Sequence, residues 1–566
     1  MISSPKNLVL DLGTLHRQLL LAAAFVAICA LFPHTANRVF NAFSTLTAKL
    51  ANRKRLAILT VFFGTVVVRL ALLPAFPVPT VGVHDEFSYL LQADTFAHGR
   101  LANPPHPMWV SFETFHENWF PTYSGMFPPA QSAALALGEL AGSPWIGVLL
   151  SDALMCAVVL WMLQGWFPPR WALLGVLLVW LKLGIISYWM NSYWGGAVAA
   201  TGAALVLGAL PRILRKPDLK YAVLFGLGLA ILANSRPYEG LLFTLPATVV
   251  LLVWMLKRNN ITQATKWRRV AIPLIVIVTM LFGWLGYYNR RLTGHPLLFP
   301  HTHNWNTYLT TGLFLWDHDR PEKHYRNPQL EEYYNDWARE NYERSWRGVV
   351  KVTNDKYYNY RIAYFWPGGV LLLVALPCVL IERKMRLLAA TLILVGLGVF
   401  CVVWSLPHYA APLTCVFFAL LLECARRLCL LRLGRWRFGK ALVCASVLLL
   451  MTTVAIDAIA DIQDPANWNW NGDMGMHDRA NVLKKLQSLP GKQLAIVRYG
   501  PDHDIHQEWV YNAADIDDAK VVWAREMDAD QNRKLLDYYK DRTVWLIQPD
   551  DPDDLISPYS SPAAPD

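Results

Sequence analysis

The chain has 566 residues, of which 54% are hydrophobic and only 17% charged, and its formal net charge is +10. That balance excludes an ordinary water-soluble fold, because the apolar excess is gathered into blocks of bilayer length. The cations stand in short segments between those blocks, with no basic stripe carrying interleaved aromatics, which excludes nucleic acid as a partner.

Along the chain, an apolar run at residues 19–32 is short for a span and is read as a retained extra helix. The clearest spans follow at about 56–76, 145–165, 171–188, 195–212, 220–234, 240–256, 270–287, 364–381, 387–404, 409–424 and 441–460. Helices are the expected form, since lipid leaves backbone polar groups no other partner and the alternation of a barrel strand is absent. The eight cysteines lie in or beside these blocks, so neither a disulfide framework nor a Cys/His metal spacing is expected.

Charge sets the orientation. Arg53–Lys54–Arg55, the Arg212–Lys220 cluster, the Lys257–Arg269 cluster, Arg383–Lys384–Arg386 and the Arg426–Lys440 cluster all fall on one side of the span list. The opposite short turns, around Asn191, Ser235 and His408, carry only Arg236. The cationic side is therefore expected to be cytoplasmic. Three long polar pieces, at about 77–143, 289–362 and 461–566, then face the other compartment. The expected organisation is an N-terminal helix and linker (1–50), a membrane domain (51–460) and a C-terminal domain (461–566). In that last piece, helical patterns near 478–488 and 529–540 alternate with β-type runs at 494–499, 520–524 and 543–547, which predicts a small α/β unit. The Pro- and Asp-rich end reads as disordered. The fold class is thus mainly α, a bundle of about 11–12 transmembrane helices with a small α/β extramembrane domain.

The chemistry-bearing residues gather on the non-cytoplasmic side. Asp85 and Glu86 open an apolar helical pattern just after the first strong span. Carboxylates there either cap the helix or act as a base or cation ligand. The run His84-Asp85-Glu86-Phe87, with Tyr89-Leu90-Leu91 and the closing His98-Gly99-Arg100-Leu101, resembles the first external loop of the GT-C glycosyltransferases, which include the protein O-mannosyltransferases and the lipid A aminoarabinose transferases. Phe127-Pro128-Pro129-Ala130 and the late Pro407-His408-Tyr409-Ala410-Ala411-Pro412 resemble further motifs of that superfamily, in the same order. The resemblance covers roughly residues 55–425. It implies a multi-pass enzyme, in a bacterial inner membrane, that moves a sugar from a polyprenyl-phosphate donor to a hydroxyl acceptor with inversion. It further implies Asp85 as the catalytic carboxylate with Glu86 in support, a divalent cation (Mg2+ or Mn2+) on Asp85 in some members, and His84, Tyr89 and Glu239 near the substrate. One departure is plain: the Lys that precedes the Pro-Pro element in the aminoarabinose transferases is missing, and Gly125-Met126-Phe127 stand there instead.

Arg236 is the leading substitute. It sits where cations are scarce, and a guanidinium holds phosphate oxygens in a fork. The alternative is a structural pair with Glu239. His408 and Tyr409 face the same anion or form an interfacial aromatic pair. The Tyr/Trp/Asn-rich turn at 187–200 is an aromatic belt, with Asn191 and Tyr193 as sugar-contact candidates. Arg290 and Arg291 suit lipid headgroups or the donor phosphate. The tail segment with Asp502, His503, Asp504, His506 and Glu508 is a solvated loop or a cation or sugar site that shapes acceptor access. A transporter or flippase for a lipid-linked or sugar substrate is the competing reading. It would want ionisable groups or broken helices at mid-membrane, where only Asp152, Lys182 and Glu423 come near.

Overall fold

The computed structural model describes residues 20–560 except 22, 30, 259, 342–343, 366, 433–437 and 464–475. Most of the proposed 19–32 helix is therefore described, and its described residues up to 31 are helical. The proposed disordered end, residues 548–566, is described as far as residue 560 and is ordered there: Ile556–Pro558 forms a strand paired antiparallel with Arg542–Ile547, because its apolar residues add an edge to the C-terminal sheet; residues 561–566 lie outside the described residues.

The fold is mainly helical. In chain order the helices are α1 (Pro33–Asn52), α2 (Lys54–Ala71), α3 (His84–Ala97), α4 (Pro129–Leu140), α5 (Pro144–Trp166), α6 (Pro169–Lys182), α7 (Ala197–Arg215), α8 (Leu219–Ala233), α9 (Pro237–Leu256), α10 (Gln263–Thr293), α11 (Pro300–Thr307), α12 (Trp346–Tyr360), α13 (Arg386–Cys401), α14 (Pro407–Leu428) and α15 (Phe438–Gln463). Proline opens α4, α5, α6, α9, α11 and α14, where its fixed φ fits and its missing N–H costs nothing. Gly294, at φ 79°, ends α10 in the left-handed conformation that a side chain would strain.

Among the described residues six helices are long and apolar enough to cross a membrane: α5, α7, α9, α10, α14 and α15. A seventh crossing exists if the segments 346–365 and 368–380, bent by 90° against each other, count as one. The chain is an integral, multi-pass membrane protein. Several expected spans are shorter or broken: α8 and α13 are short apolar helices, α6 stops at Lys182, and residues 364–381 pass through π, α and 3-10 turns. Composition marks these as membrane-like, but Pro367 and Pro377 bring no N–H to the backbone ladder of the 364–381 stretch.

The bundle core packs α5, α7 and α8 through small residues. A Cβ on Gly228 would stand 2.6 Å from the Gly202 carbonyl oxygen, so α7 and α8 approach at the backbone. The C-terminal unit comprises α16 (His477–Ser488), β3 (Lys492–Val497), β4 (Val521–Arg525), α17 (Ala529–Tyr538), β5 (Arg542–Ile547) and β6 (Ile556–Pro558). It follows a hairpin of β1 (Glu117–Asn118) and β2 (Ser124–Gly125) in the first long loop. Its sheet order is β4-β3-β5-β6, with β3 parallel to both neighbours.

Candidate active site

The site is built on the first turn of α3. Glu86 fixes that turn. One carboxylate oxygen accepts the N–H groups of Gly82 (2.7 Å) and Val83 (3.2 Å), and the other accepts that of Tyr193 (2.7 Å). A buried carboxylate with three charge-assisted bonds is a structural clamp. Glu86 thus welds the start of α3 to the 187–196 turn, and the catalytic support expected of it becomes positional.

Asp85, the preceding residue, points elsewhere. Its carboxylate lies 3.3 Å from Nε2 of His116, with both side chains mostly buried (17% and 13% exposed). His116 is held in the left-handed region, at φ 61°. Its carbonyl oxygen accepts the Ser88 hydroxyl (2.7 Å) and the Met126 N–H (3.2 Å), which fixes this strained residue against α3. Burial raises the Asp85 pKa to about 7, partly offset by the charge of Arg236. Burial lowers His116 to about 3, so the imidazole beside the carboxylate is neutral.

Arg236 caps α9 and stacks its guanidinium 4.3 Å from the centre of the Tyr409 ring. Among the described residues its side chain makes no hydrogen bond or ion pair. Tyr89, which stacks on Phe127 at 4.5 Å, lies within the fields of Arg236, Asp85 and Glu239. His408 is buried beneath Tyr409, with Nδ1 3.2 Å from the Tyr188 hydroxyl. Tyr360 and Tyr364 bind the carbonyls of Leu406 and Pro407 (3.2 and 2.8 Å) and so hold the 405–409 loop in place. Asp85, Tyr89, Arg236, Glu239 and Tyr409 therefore form one neighbourhood.

The other expected contacts lie apart from it or serve the scaffold. His84 donates Nε2–H to the Ile505 carbonyl (2.9 Å) and stacks on Phe115 at 4.3 Å; burial keeps it neutral. Asn191 accepts from Arg69 (2.9 Å) and donates to Ile186 (2.9 Å). The Tyr193 hydroxyl donates to Pro79 (3.1 Å). Arg290 is exposed on the last turn of α10, and among the described residues no side-chain hydrogen bond or ion pair ties it to the Asp85 group.

A divalent cation fits this arrangement poorly. Such ions want about six oxygen ligands, whereas the partner of Asp85 is an imidazole. Among the described residues no group of three or more His, Cys, Asp or Glu side chains could hold a metal.

No protein-family model matches the sequence, and no curated protein matches it. The chain is similar to an oligosaccharyltransferase and to ArnT. The first is the apo oligosaccharyltransferase of Archaeoglobus fulgidus, at 11% identity and TM-score 0.45, with 78% of this chain and 62% of that one covered. This chain thus spans less than two thirds of that protein's length. The second is ArnT of Cupriavidus metallidurans, bound to undecaprenyl phosphate (15% identity, TM-score 0.48, 89% and 93% covered) or in the apo state (14%, 0.47, 90% and 94%).

His116 went unnoticed in the sequence. The segment Phe112-Glu113-Thr114-Phe115-His116-Glu117 offers no periodicity, and only its density of ionisable residues in an aromatic loop could have marked it.

Proposed function

We propose that this chain is a GT-C-type membrane glycosyltransferase. It transfers a hexosyl or pentosyl group from a polyprenyl-phosphate donor to a hydroxyl of a glycan, lipid or protein. The reaction runs on the membrane face opposite the cationic loops, the periplasmic face of a bacterial inner membrane. The observation that carries this reading is the pairing of a buried carboxylate near neutral pKa with an open guanidinium in one neighbourhood.

The roles follow from chemistry. Arg236 binds the donor phosphate with the N–H groups that the fold leaves open, and Tyr409 supports its plane. Asp85, ionised at and above neutral pH, takes the proton of the acceptor hydroxyl. That oxygen forms the new bond at the anomeric carbon as the bond to phosphate breaks. The leaving phosphate keeps the electron pair, and a single displacement from the face opposite it inverts the configuration. Arg236 stabilises the charge that grows there, a term worth several kcal/mol in low dielectric. His116 holds the Asp85 carboxylate in one orientation, and Glu239 balances Arg236 when no donor is bound.

The test is transfer of label from a polyprenyl-phosphate-linked sugar by the purified protein in nanodiscs. Asp85→Asn should abolish it while the melting temperature stays near wild type. No transfer by the wild-type protein would end the proposal, and normal transfer by Asp85→Asn would remove Asp85 as its base.

A further inference from the structure

The C-terminal α/β unit is clamped to α3. Arg100 forms a two-pronged pair with Asp515 (2.8 and 2.7 Å), the Ala514 N–H donates to Asp94 (2.7 Å), and Phe87 stacks on Tyr511 at 4.0 Å. This grip has a direction. Strand β3 is central, and the chain leaves it for β4 on one side and returns to β5 on the other. In open parallel sheets, ligands lodge outside the carboxyl ends of the strands at such a switch point. The 498–508 loop leaves the carboxyl end of β3, and its Ile505 carbonyl meets His84, the residue beside Asp85.

Aromatic rings run from that loop to the catalytic carboxylate. The His506 ring lies 5.8 Å from His84, His84 lies 5.6 Å from His116, and His116 touches Asp85. Tyr333 backs the row, 5.6 Å from His84 and 6.0 Å from His116. On its outer side Trp337 stands 5.0 Å from His506 and 5.8 Å from Trp404. Trp337, Trp404 and His506 are half-buried, and so present part of their surface to solvent. Exposed carboxylates rim this shelf: the charges of Asp336 and Asp504 both reach Glu332. The 404–409 loop joins the two halves, with Trp404 on the shelf and Tyr409 against Arg236.

We infer that the shelf of Trp337, Trp404 and His506, rimmed by Glu332, Asp336 and Asp504, binds a sugar ring of the acceptor and makes the C-terminal unit part of the acceptor site. Rings with half-exposed surface stack on the C–H faces of a sugar, and carboxylates at the edge accept its hydroxyls. The ring row from the shelf meets Asp85 at His116, whereas Arg236 stacks on Tyr409, so acceptor and donor are held by different groups. This assignment of the acceptor rests on the transferase reading above.

Saturation-transfer NMR on the full chain in nanodiscs tests it, with maltotriose, chitotriose and mannotriose as probes. At least one should receive saturation at its ring protons. Trp337→Ala and Trp404→Ala should each cut the signal fivefold or more, Trp337→Phe should keep most of it, and the exposed-rim variants Glu332→Gln and Asp504→Asn should lower it about twofold. A signal indifferent to the shelf variants, or none with any of the three sugars, overturns the assignment. Absence of transfer by the wild-type chain alongside a shelf-dependent signal would instead remove the transferase reading and leave a sugar-binding site.

Discussion

Two guanidiniums in this protein look alike in sequence and differ in structure. Arg69 and Arg236 each sit at the edge of an apolar block, stack on an aromatic ring and feel a carboxylate. Arg69 spends its N–H groups on the Phe76 carbonyl (2.8 Å), the Pro77 carbonyl (3.3 Å) and Asn191 (2.9 Å). It ties the end of α2 to the 187–196 turn. Arg236 makes no such bond among the described residues, and feels the charges of Glu239 and Asp85. A buried cation whose donors are used holds the fold together, whereas one whose donors are open is set to receive an anion. Asp85 and Glu86 repeat the lesson at adjacent positions, since about 100° of helical turn sends one carboxylate into the site and the other into the scaffold.

The largest effect that could break this comparison is at the carboxylates. Asp85→Asn should lower transfer about 10³-fold with stability unchanged, read by label transfer and thermal unfolding. Arg236→Ala should lower kcat/KM for the donor about 10²-fold, with Arg236→Lys recovering part of it, as donor titrations would show. Glu86→Ala should behave in the opposite way to Asp85→Asn. It should cost about 3 kcal/mol of stability, because three buried N–H groups lose their acceptor, and activity should follow the folded fraction in denaturant titration. The pH profile sharpens the Asp85 assignment. Its pKa is raised to about 7, and the base must be ionised, so the rate should climb through pH 7 to a plateau above it and fall on the acid side. Arg290→Ala should change transfer by less than about twofold, as an exposed side chain away from the site.

Much of the architecture was legible in the sequence because it follows from strong patterns. Apolar blocks mark the membrane helices, and the alternation in the tail places β3, β4 and β5 within two residues of their observed positions. The span count was not legible, because apolar composition does not register breaks such as the one between Lys182 and Ala197, where the chain turns instead of crossing. In the candidate site, the isolation of Arg236 and the acidic pair at α3 pointed to residues that feel one another's charge in the fold. The division of labour between Asp85 and Glu86, the pairing of Asn191 with Arg69 and the role of His116 depend on contacts across more than twenty residues of chain. No local spacing encodes these. Of the mid-membrane acids that a transporter would use, Glu423 is bound to Arg426 at 2.5 Å at the cationic end of α14.

The sharpest single measurement is native mass spectrometry of the full chain with a C55 polyprenyl phosphate, comparing wild type, Asp85→Asn and Arg236→Ala. Retention of the lipid phosphate by wild type and Asp85→Asn, with at least tenfold weaker retention by Arg236→Ala, is the expected result. Equal retention by all three would contradict the phosphate site at Arg236.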